Sequence, residues 1–260
     1  MSTTRPPLAP GPIQLFATCI VEHVRPGIGL AVVRVLERLG CQVEYPDDQT
    51  CCGQPAFNTG ARGDARAMAR HTVDCLSRST APVVVPSGSC ADMLVHQYPA
   101  LLADEPAEAA RAIALARRTY EFSEAVSQLE VATEGRGAET RRGRRHGAVA
   151  MAYHASCHLL RGLGVVDEPV ALIERAQDAP VVPLAGCDEC CGFGGLFSIK
   201  MSEISAAMLA RKIANLEASG ASVVAACDAS CLLHIEGGLR RRDSSIVVKH
   251  LAEVLDEAAR

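Results

Sequence analysis

The sequence predicts an α/β fold: two pseudo-symmetric halves, each with a mostly parallel sheet covered by helices. Three observations point to it. First, an ordered cysteine pattern is written twice: Cys19, Cys51-Cys52-Gly53 and Cys90, then Cys157, Cys190-Cys191-Gly192 and Cys231. Matching cysteines stand about 140 residues apart. Second, short β-branched runs alternate with longer segments of helical period, the signature of parallel strands joined by covering helices. Third, 260 residues with 48% apolar content suffice for one large or two modest cores.

Taken in order, a Pro-rich lead over residues 1–12 is expected to be loose. The first half, 13–132, opens with the apolar run Ile13–Cys19 (IQLFATC), read as a strand ending in a cysteine. The segment Gly27–Leu39 places apolar residues at intervals of three and four and reads as a helix. A short strand Cys41–Tyr45, a helix over Gly63–Arg78, the strand Val83–Val85 and a helix from Ala91 complete this half. Residues 133–147, rich in Gly and Arg and poor in apolar side chains, read as a solvated linker or hairpin. The second half, 148–260, repeats the order. It carries strand Val149–Tyr153, helix Pro169–Ala176, strand Val181–Leu184, helix Ser202–Ser219, strand Ser222–Ala226 and helix Ser230–Arg240, with a closing strand and helix over Ile246–Ala258. In such sheets ligands bind past the carboxyl ends of strands, where most of the repeated cysteines fall.

Composition excludes several classes of function. A net charge of −4 gives no electrostatic case for nucleic acid or an anionic membrane. With no Trp and 3% aromatics, stacking platforms for bases or sugars are not expected. No run approaches the roughly 20 apolar residues of a membrane span, and the N-terminus lacks a secretory pattern. A cytoplasmic chain is therefore expected, and there the 12 cysteines stay reduced. Metal or redox chemistry then explains them better than disulfides.

If the first and third strands are neighbours, Cys19, Cys51, Cys52 and Cys90 converge in one crevice. Four convergent thiols invite oxidation unless a metal neutralises them. Structural zinc usually draws on paired C-x2–4-C knuckles, which the repeated cysteines lack. Adjacent cysteines suit a multi-iron cluster, since neighbouring sulfurs reach different irons. Spacing alone leaves an iron–sulfur cluster, zinc and metal-free redox thiols all open, in that order. Gly53 and Gly192 would let the backbone close on such a centre, although a Gly there also suits a plain turn.

The segments Cys51–Gly60 (CCGQPAFNTG), Pro86–Cys90 (PSGSC), Cys190–Met201 (CCGFGGLFSIKM), Asp228–Leu232 (DASCL) and His250–Leu255 (HLAEVL) carry a resemblance. It runs from about residue 13 to the C-terminus. The chain resembles the cysteine-rich CCG family that includes heterodisulfide reductase B-type and glycolate oxidase iron–sulfur subunits. Within that family it more closely resembles the lactate utilization A-type, or YkgE-type, (Fe–S)-binding subunits. The resemblance implies two Rossmann-like CCG half-domains. It implies iron–sulfur clusters, one [4Fe–4S] per half, held by Cys19, Cys51, Cys52 and Cys90 and by Cys157, Cys190, Cys191 and Cys231, with zinc at one site as the alternative. The full pattern ends in CxxC and supplies five thiolates; this chain has Ser87 and Asp228 at the penultimate positions, which favours four. Cys227, one residue before Asp228, reads as packing within an apolar strand.

The other chemistry-bearing residues have plainer readings. Cys41 and Cys75 fall in a predicted strand and a predicted helix and read as buried packing thiols. Cys187 forms C-x2-C with Cys190 but lies outside the repeat. His154 and His158 flank Cys157; either can tune a cluster, though a hydrogen-bonded structural histidine is the commoner outcome. Lys200 offers a cation or a solvated side chain. Gly192, Gly194 and Gly195 do not complete a phosphate-binding loop, and no nicotinamide fingerprint or flavin motif is present, so a hydride acceptor must lie elsewhere. The resemblance implies an electron-relaying subunit in L-lactate oxidation to pyruvate. Its partners would be a ferredoxin-like iron–sulfur subunit and a third small subunit. A heterodisulfide-type reductase and a zinc-stabilised interaction subunit are the alternatives, and no catalytic residue is assigned.

Overall fold

A computed structural model of the chain describes residues 5–133 and 149–260. In the first half, β1 (Pro12–Leu15), β2 (Gln42–Glu44), β3 (Val83–Val85) and β4 (Thr119–Glu121) lie in the order β2-β1-β3-β4. In the second, β5 (Met151–Tyr153), β6 (Val223–Ala226) and β7 (Val247–His250) lie side by side in that order. Every pairing between these strands is parallel, as the predicted α/β class requires, so consecutive strands within a sheet are joined by crossovers.

Side chains alternate across each strand and divide the packing into layers. Val83 and Val85 pack with Ala65, Ala69, Val73 and Leu76 of the helix Arg62–Leu76, whereas Val84 turns to the opposite face. Val224 and Ala226 likewise face Leu209, Ile213 and Leu216 of the helix Ser202–Ser219, with Val223 and Ala225 turned away. The turned-away faces of both sheets share one core. The helices Pro26–Arg38, Phe122–Thr133, Glu168–Gln177 and Leu251–Ala258 fill it, the first packing on the last and the second on the third. Each half thus supplies helices that cover the other.

Local sequence explains these helices. Pro26 presets the first turn of Pro26–Arg38, and Ile28, Ala31, Val32, Val35 and Leu36 then form one buried stripe. Leu251–Ala258 opens on a capping box in which the His250 ring accepts from the backbone and Glu253 reaches back to the His250 N–H. Charge pins the two together: Asp256, its side chain 2% exposed, meets Arg34 at 2.7 Å and Arg38 at 2.9 Å.

Several expectations need correction. Val181–Leu184 is not a strand. Pro180 and Pro183 remove donors there, and Val182 N–H to the Met151 carbonyl (2.9 Å) is its bond to β5. This is why the second sheet, among the described residues, lacks a counterpart of β2. The first half has β4 and the helices Pro106–Ala116 and Phe122–Thr133, which the sequence reading passed over. Strand β1 stops at Leu15, and Cys19 instead opens the helix Cys19–Val24. The lead expected to be loose is held from Arg5 onward. The Arg5 guanidinium meets Glu124 at 2.6 Å and lies over the Tyr120 ring, and Leu8 is buried. Residues 1–4 and 134–148, and with them nearly all of the expected linker, lie outside the described residues.

Candidate metal centres

Strand β1 pairs with β3, and β5 with β6, so each half brings the end of its first strand beside the loop and helix that carry its last repeated cysteine. Cys90 sits in the helix Gly88–Asp92 and Cys231 near the start of Ala229–Arg241. All eight repeated cysteines line a single cavity of about 150 Å³ between the halves. No disulfide joins them.

The backbone repeats along with the thiols. Gly53 and Gly192 follow the paired cysteines at φ 81° and 92°, a conformation that disfavours other residues. A Cβ at Gly192 would also lie 2.7 Å from the Ser205 carbonyl oxygen. Their N–H groups donate to Cys51 Sγ (3.5 Å) and Cys190 Sγ (3.4 Å). These thiols also accept hydrogen bonds, Cys51 from Cys19 and Cys52, and Cys190 from Cys157 and Cys191, which holds both well below the usual thiol range. Their donors Cys19 and Cys157 are pushed up correspondingly. Cys52 Sγ lies 3.3 Å from Cys90 Sγ. Cys51 and Cys190 are thus the thiols poised to ionise, and converging thiols of this kind fit a thiophilic metal or cluster, whose binding would release protons.

The halves meet at the site. A Cβ on Gly88 would lie 2.6 Å from Leu159 Cβ, so only glycine lets the helix bearing Cys90 close on the turn His158–Leu163 that follows Cys157. Ser87 and Asp228, the positions where a fifth thiolate would stand, pair with each other instead. Ser87 Oγ donates to Asp228 Oδ2 at 3.0 Å, as does Ser89 N–H at 3.0 Å, while Ser230 N–H and Oγ donate to Oδ1. Each also caps its own helix. Burial would raise the Asp228 carboxyl, but donation from Ser230, Ser89 and Ser87 outweighs it and holds the group below the usual carboxylate range. Both side chains are thus committed to joining the halves.

The remaining candidates separate by position. Cys41, Cys75 and Cys227 are buried and do not line the cavity; Cys227 Sγ accepts from Tyr153 OH at 3.8 Å. Cys187 sits half-buried in a turn outside the cavity lining. His158 lines the cavity, its Nδ1 3.6 Å from Cys157 Sγ. Lys200 is exposed and contributes nothing to the lining. His154 is fully buried; burial, aided by the Lys212 charge, holds it down at about 4.

Sequence reading missed the groups that brace the loops. In the first half, Gln49 accepts from Ala17 N–H at 2.7 Å and Tyr98 OH donates to the Cys52 carbonyl at 2.8 Å. In the second, Lys212 Nζ donates to the Gly186 carbonyl, holding the loop that leads to Cys190. Lys212 shares the buried stripe Ser205, Leu209, Lys212, Ile213 and Leu216. A lysine at that helical spacing was the available signal.

The family described as "Cysteine-rich domain" (CCG) matches the chain twice, over residues 13–95 and 151–236. The chain is 41% identical to lactate utilization protein A of Shouchella clausii (strain KSM-K16), over 94% of this chain and 98% of that one. It is 41% identical to the protein of the same name from Exiguobacterium sp. (strain ATCC BAA-1283 / AT1b), over 95% and 98%. With that of Bacillus subtilis (strain 168) the identity is 40%, over 94% and 98%.

Proposed function

Because the chain belongs to the cysteine-rich CCG domain family and its relatives are lactate utilization A proteins, we propose that it is the iron–sulfur subunit of a multi-subunit oxidoreductase that oxidises L-lactate to pyruvate. The convergence of two register-matched sets of four cysteines on one cavity carries this reading. Cys19, Cys51, Cys52 and Cys90 hold one cluster and Cys157, Cys190, Cys191 and Cys231 the other, each of [4Fe–4S] type. Four ligands per half follow from the use of Ser87 and Asp228 in joining the halves.

Bound clusters supply one-electron transfer at potentials set by charge, hydrogen bonds to sulfur and exposure. The chain's own residues do the rest. Gly53 and Gly192 aim their N–H groups at sulfur, and Gln49, Tyr98 and Lys212 fix the loops. Oxidation of lactate to pyruvate releases two electrons and two protons, whereas such centres pass electrons singly. The substrate site and the two-electron acceptor therefore belong to partners, a ferredoxin-like iron–sulfur subunit and a third small subunit, in the cytoplasm. Leu196, Ile199, Met201 and Ile204, exposed apolar residues just after the cavity-lining Gly194 and Gly195, offer surface for the iron–sulfur partner.

Anaerobically purified protein should be brown, contain iron and sulfide, and give an electron paramagnetic resonance signal in one oxidation state. Alone it should reduce little dye with lactate; co-expressed with its two partners it should restore turnover. Colourless protein with zinc in both halves and no iron after reconstitution would overturn the reading. Robust turnover by the single chain would move the substrate site into this subunit.

A further inference from the structure

The two halves match around their cysteines but differ at buried positions beyond Ser87 and Asp228, two of which bear on the second centre. Phe16 and His154 each stand three residues before the first repeated cysteine of their half, and both are fully buried. Gly53 abuts Ala65 and Met68 of the helix Arg62–Leu76, while Gly192 abuts Ser205 and Met208 of the helix Ser202–Ser219. That register sets Thr72 opposite Lys212, each 1% exposed.

An aromatic hydrocarbon ring therefore packs well enough at this place in the fold, as Phe16 does. His154 has the same burial, yet neither ring nitrogen makes a hydrogen bond among the described residues. The Cys187 carbonyl stands near enough to act on the ring as a backbone hydrogen-bond acceptor, in a contact that falls short of full hydrogen-bond geometry. Leaving a buried polar group unpaired costs about 1–3 kcal/mol, so packing alone does not account for an imidazole here. One of its nitrogens and the sulfurs of Cys191 and Cys231 all lie within 4.8 Å of one another. In any protonation state an imidazole carries at least one N–H, and the acceptors nearest the ring are the Cys187 carbonyl and the Cys191 and Cys231 sulfurs.

We propose that His154 donates its N–H to the Cys191–Cys231 sulfurs of the second centre, a polar contact that the first centre lacks because Phe16 stands in its place. His154 is thus a positioning residue that makes the two centres inequivalent. The inference rests on the cluster reading above. A donor to cluster sulfur stabilises the more negative, reduced form and raises the midpoint potential of that centre alone. The Lys212 ammonium acts in the same direction and the Asp228 carboxylate against it. Both stay in place when only His154 is changed, so the variant isolates the imidazole.

The test uses anaerobic full-length protein labelled with ¹⁵N-histidine, together with His154→Phe, which copies the first half, and His154→Gln, which keeps a donor. Iron content, redox titration followed by electron paramagnetic resonance, and pulsed measurement of ¹⁵N coupling are read on each. The expected wild type shows histidine ¹⁵N coupling at one of two centres. His154→Phe should keep its iron, lose that coupling and shift one midpoint downward, changing the oxidised-to-reduced ratio at fixed potential at least tenfold, or about 59 mV for a one-electron couple. The other midpoint should stay, and His154→Gln should recover part of the shift. If His154→Phe fails to hold iron, His154→Gln decides instead, by loss of an imidazole coupling that a His158→Gln control retains, His158 Nδ1 lying 3.6 Å from Cys157 Sγ. Two iron centres with no coupling and unshifted midpoints would overturn the inference and leave the cluster reading standing. Zinc held by His154 in the second half would overturn it as well. Wild-type protein without iron in either half would overturn the cluster reading and the inference together.

Discussion

Glu121 ends β4 with no exposed surface, and burial pushes its carboxyl up to about 8 despite donation from Ser123. Its Oε2 accepts from Ser123 N–H at 2.7 Å and from Ser123 Oγ, while Oε1 has no partner among the described residues. In the unfolded chain the group titrates near the ordinary glutamate value of about 4.3. Between those values the folded protein holds a proton that the unfolded chain has lost, so stability falls as pH rises, by about 1.4 kcal/mol per pH unit at most. From pH 5 to pH 7 this amounts to roughly 2–3 kcal/mol, and the fall levels off above the folded value. Glu121→Gln removes the titration, and its amide oxygen can still accept from Ser123. The new N–H groups lack an assured partner, which costs about 1 kcal/mol independent of pH. Wild type and variant, at equal metal loading, are compared by urea denaturation at half-unit steps from pH 5 to pH 8. The variant should be about as stable as the wild type at pH 5 and more stable at pH 8. A stability difference that stays constant across this range would refute the argument, because it would mean that Glu121 does not keep its proton on folding.

Three further predictions follow from single contacts. Cys52→Ser and Cys191→Ser should each lower iron occupancy in their own half, whereas Cys41→Ala and Cys75→Ala should keep iron and cost about 1–2 kcal/mol of stability; iron dependence on Cys75 but not on Cys52 would invert the assignment. Gly88→Ala should lose about 1–3 kcal/mol, because its Cβ would lie 2.6 Å from Leu159 Cβ, and should loosen iron binding in both halves; an unchanged melting temperature would show that the closure at Gly88 is not needed. Asp256 is held below the usual carboxylate range because its bonds to Arg34, Arg260 and Arg38 outweigh its burial. Its contribution should be complete above about pH 4 and fade as pH falls further. Asp256→Asn should therefore cost about 1–2 kcal/mol at pH 7, the partners being partly exposed, and a smaller amount at pH 2, as read from the urea midpoint at each pH.

The doubled cysteine pattern, the α/β alternation and the strand Val83–Val85 could be read directly from the sequence, because register, period and β-branching are local properties. Val181–Leu184 misled for a local reason as well: its apolar residues suit a strand, but Pro180 and Pro183 withhold donors. Thr119–Glu121 was overlooked because three residues between helices carry too little periodicity to stand out. The sequence by itself determined that eight cysteines belong to two equivalent sets and that a metal explains them better than disulfides. Only the tertiary structure decided that both sets face one cavity, because that depends on the closure of the Gly88 helix against Leu159, contacts between residues far apart along the chain. It also decided the fate of Ser87 and Asp228, which look like missing ligands until the halves meet and each becomes the other's hydrogen-bond partner. His154 shows the limit from the other side. Burial without a partner is a property of everything packed around a residue, and no spacing along the chain records it.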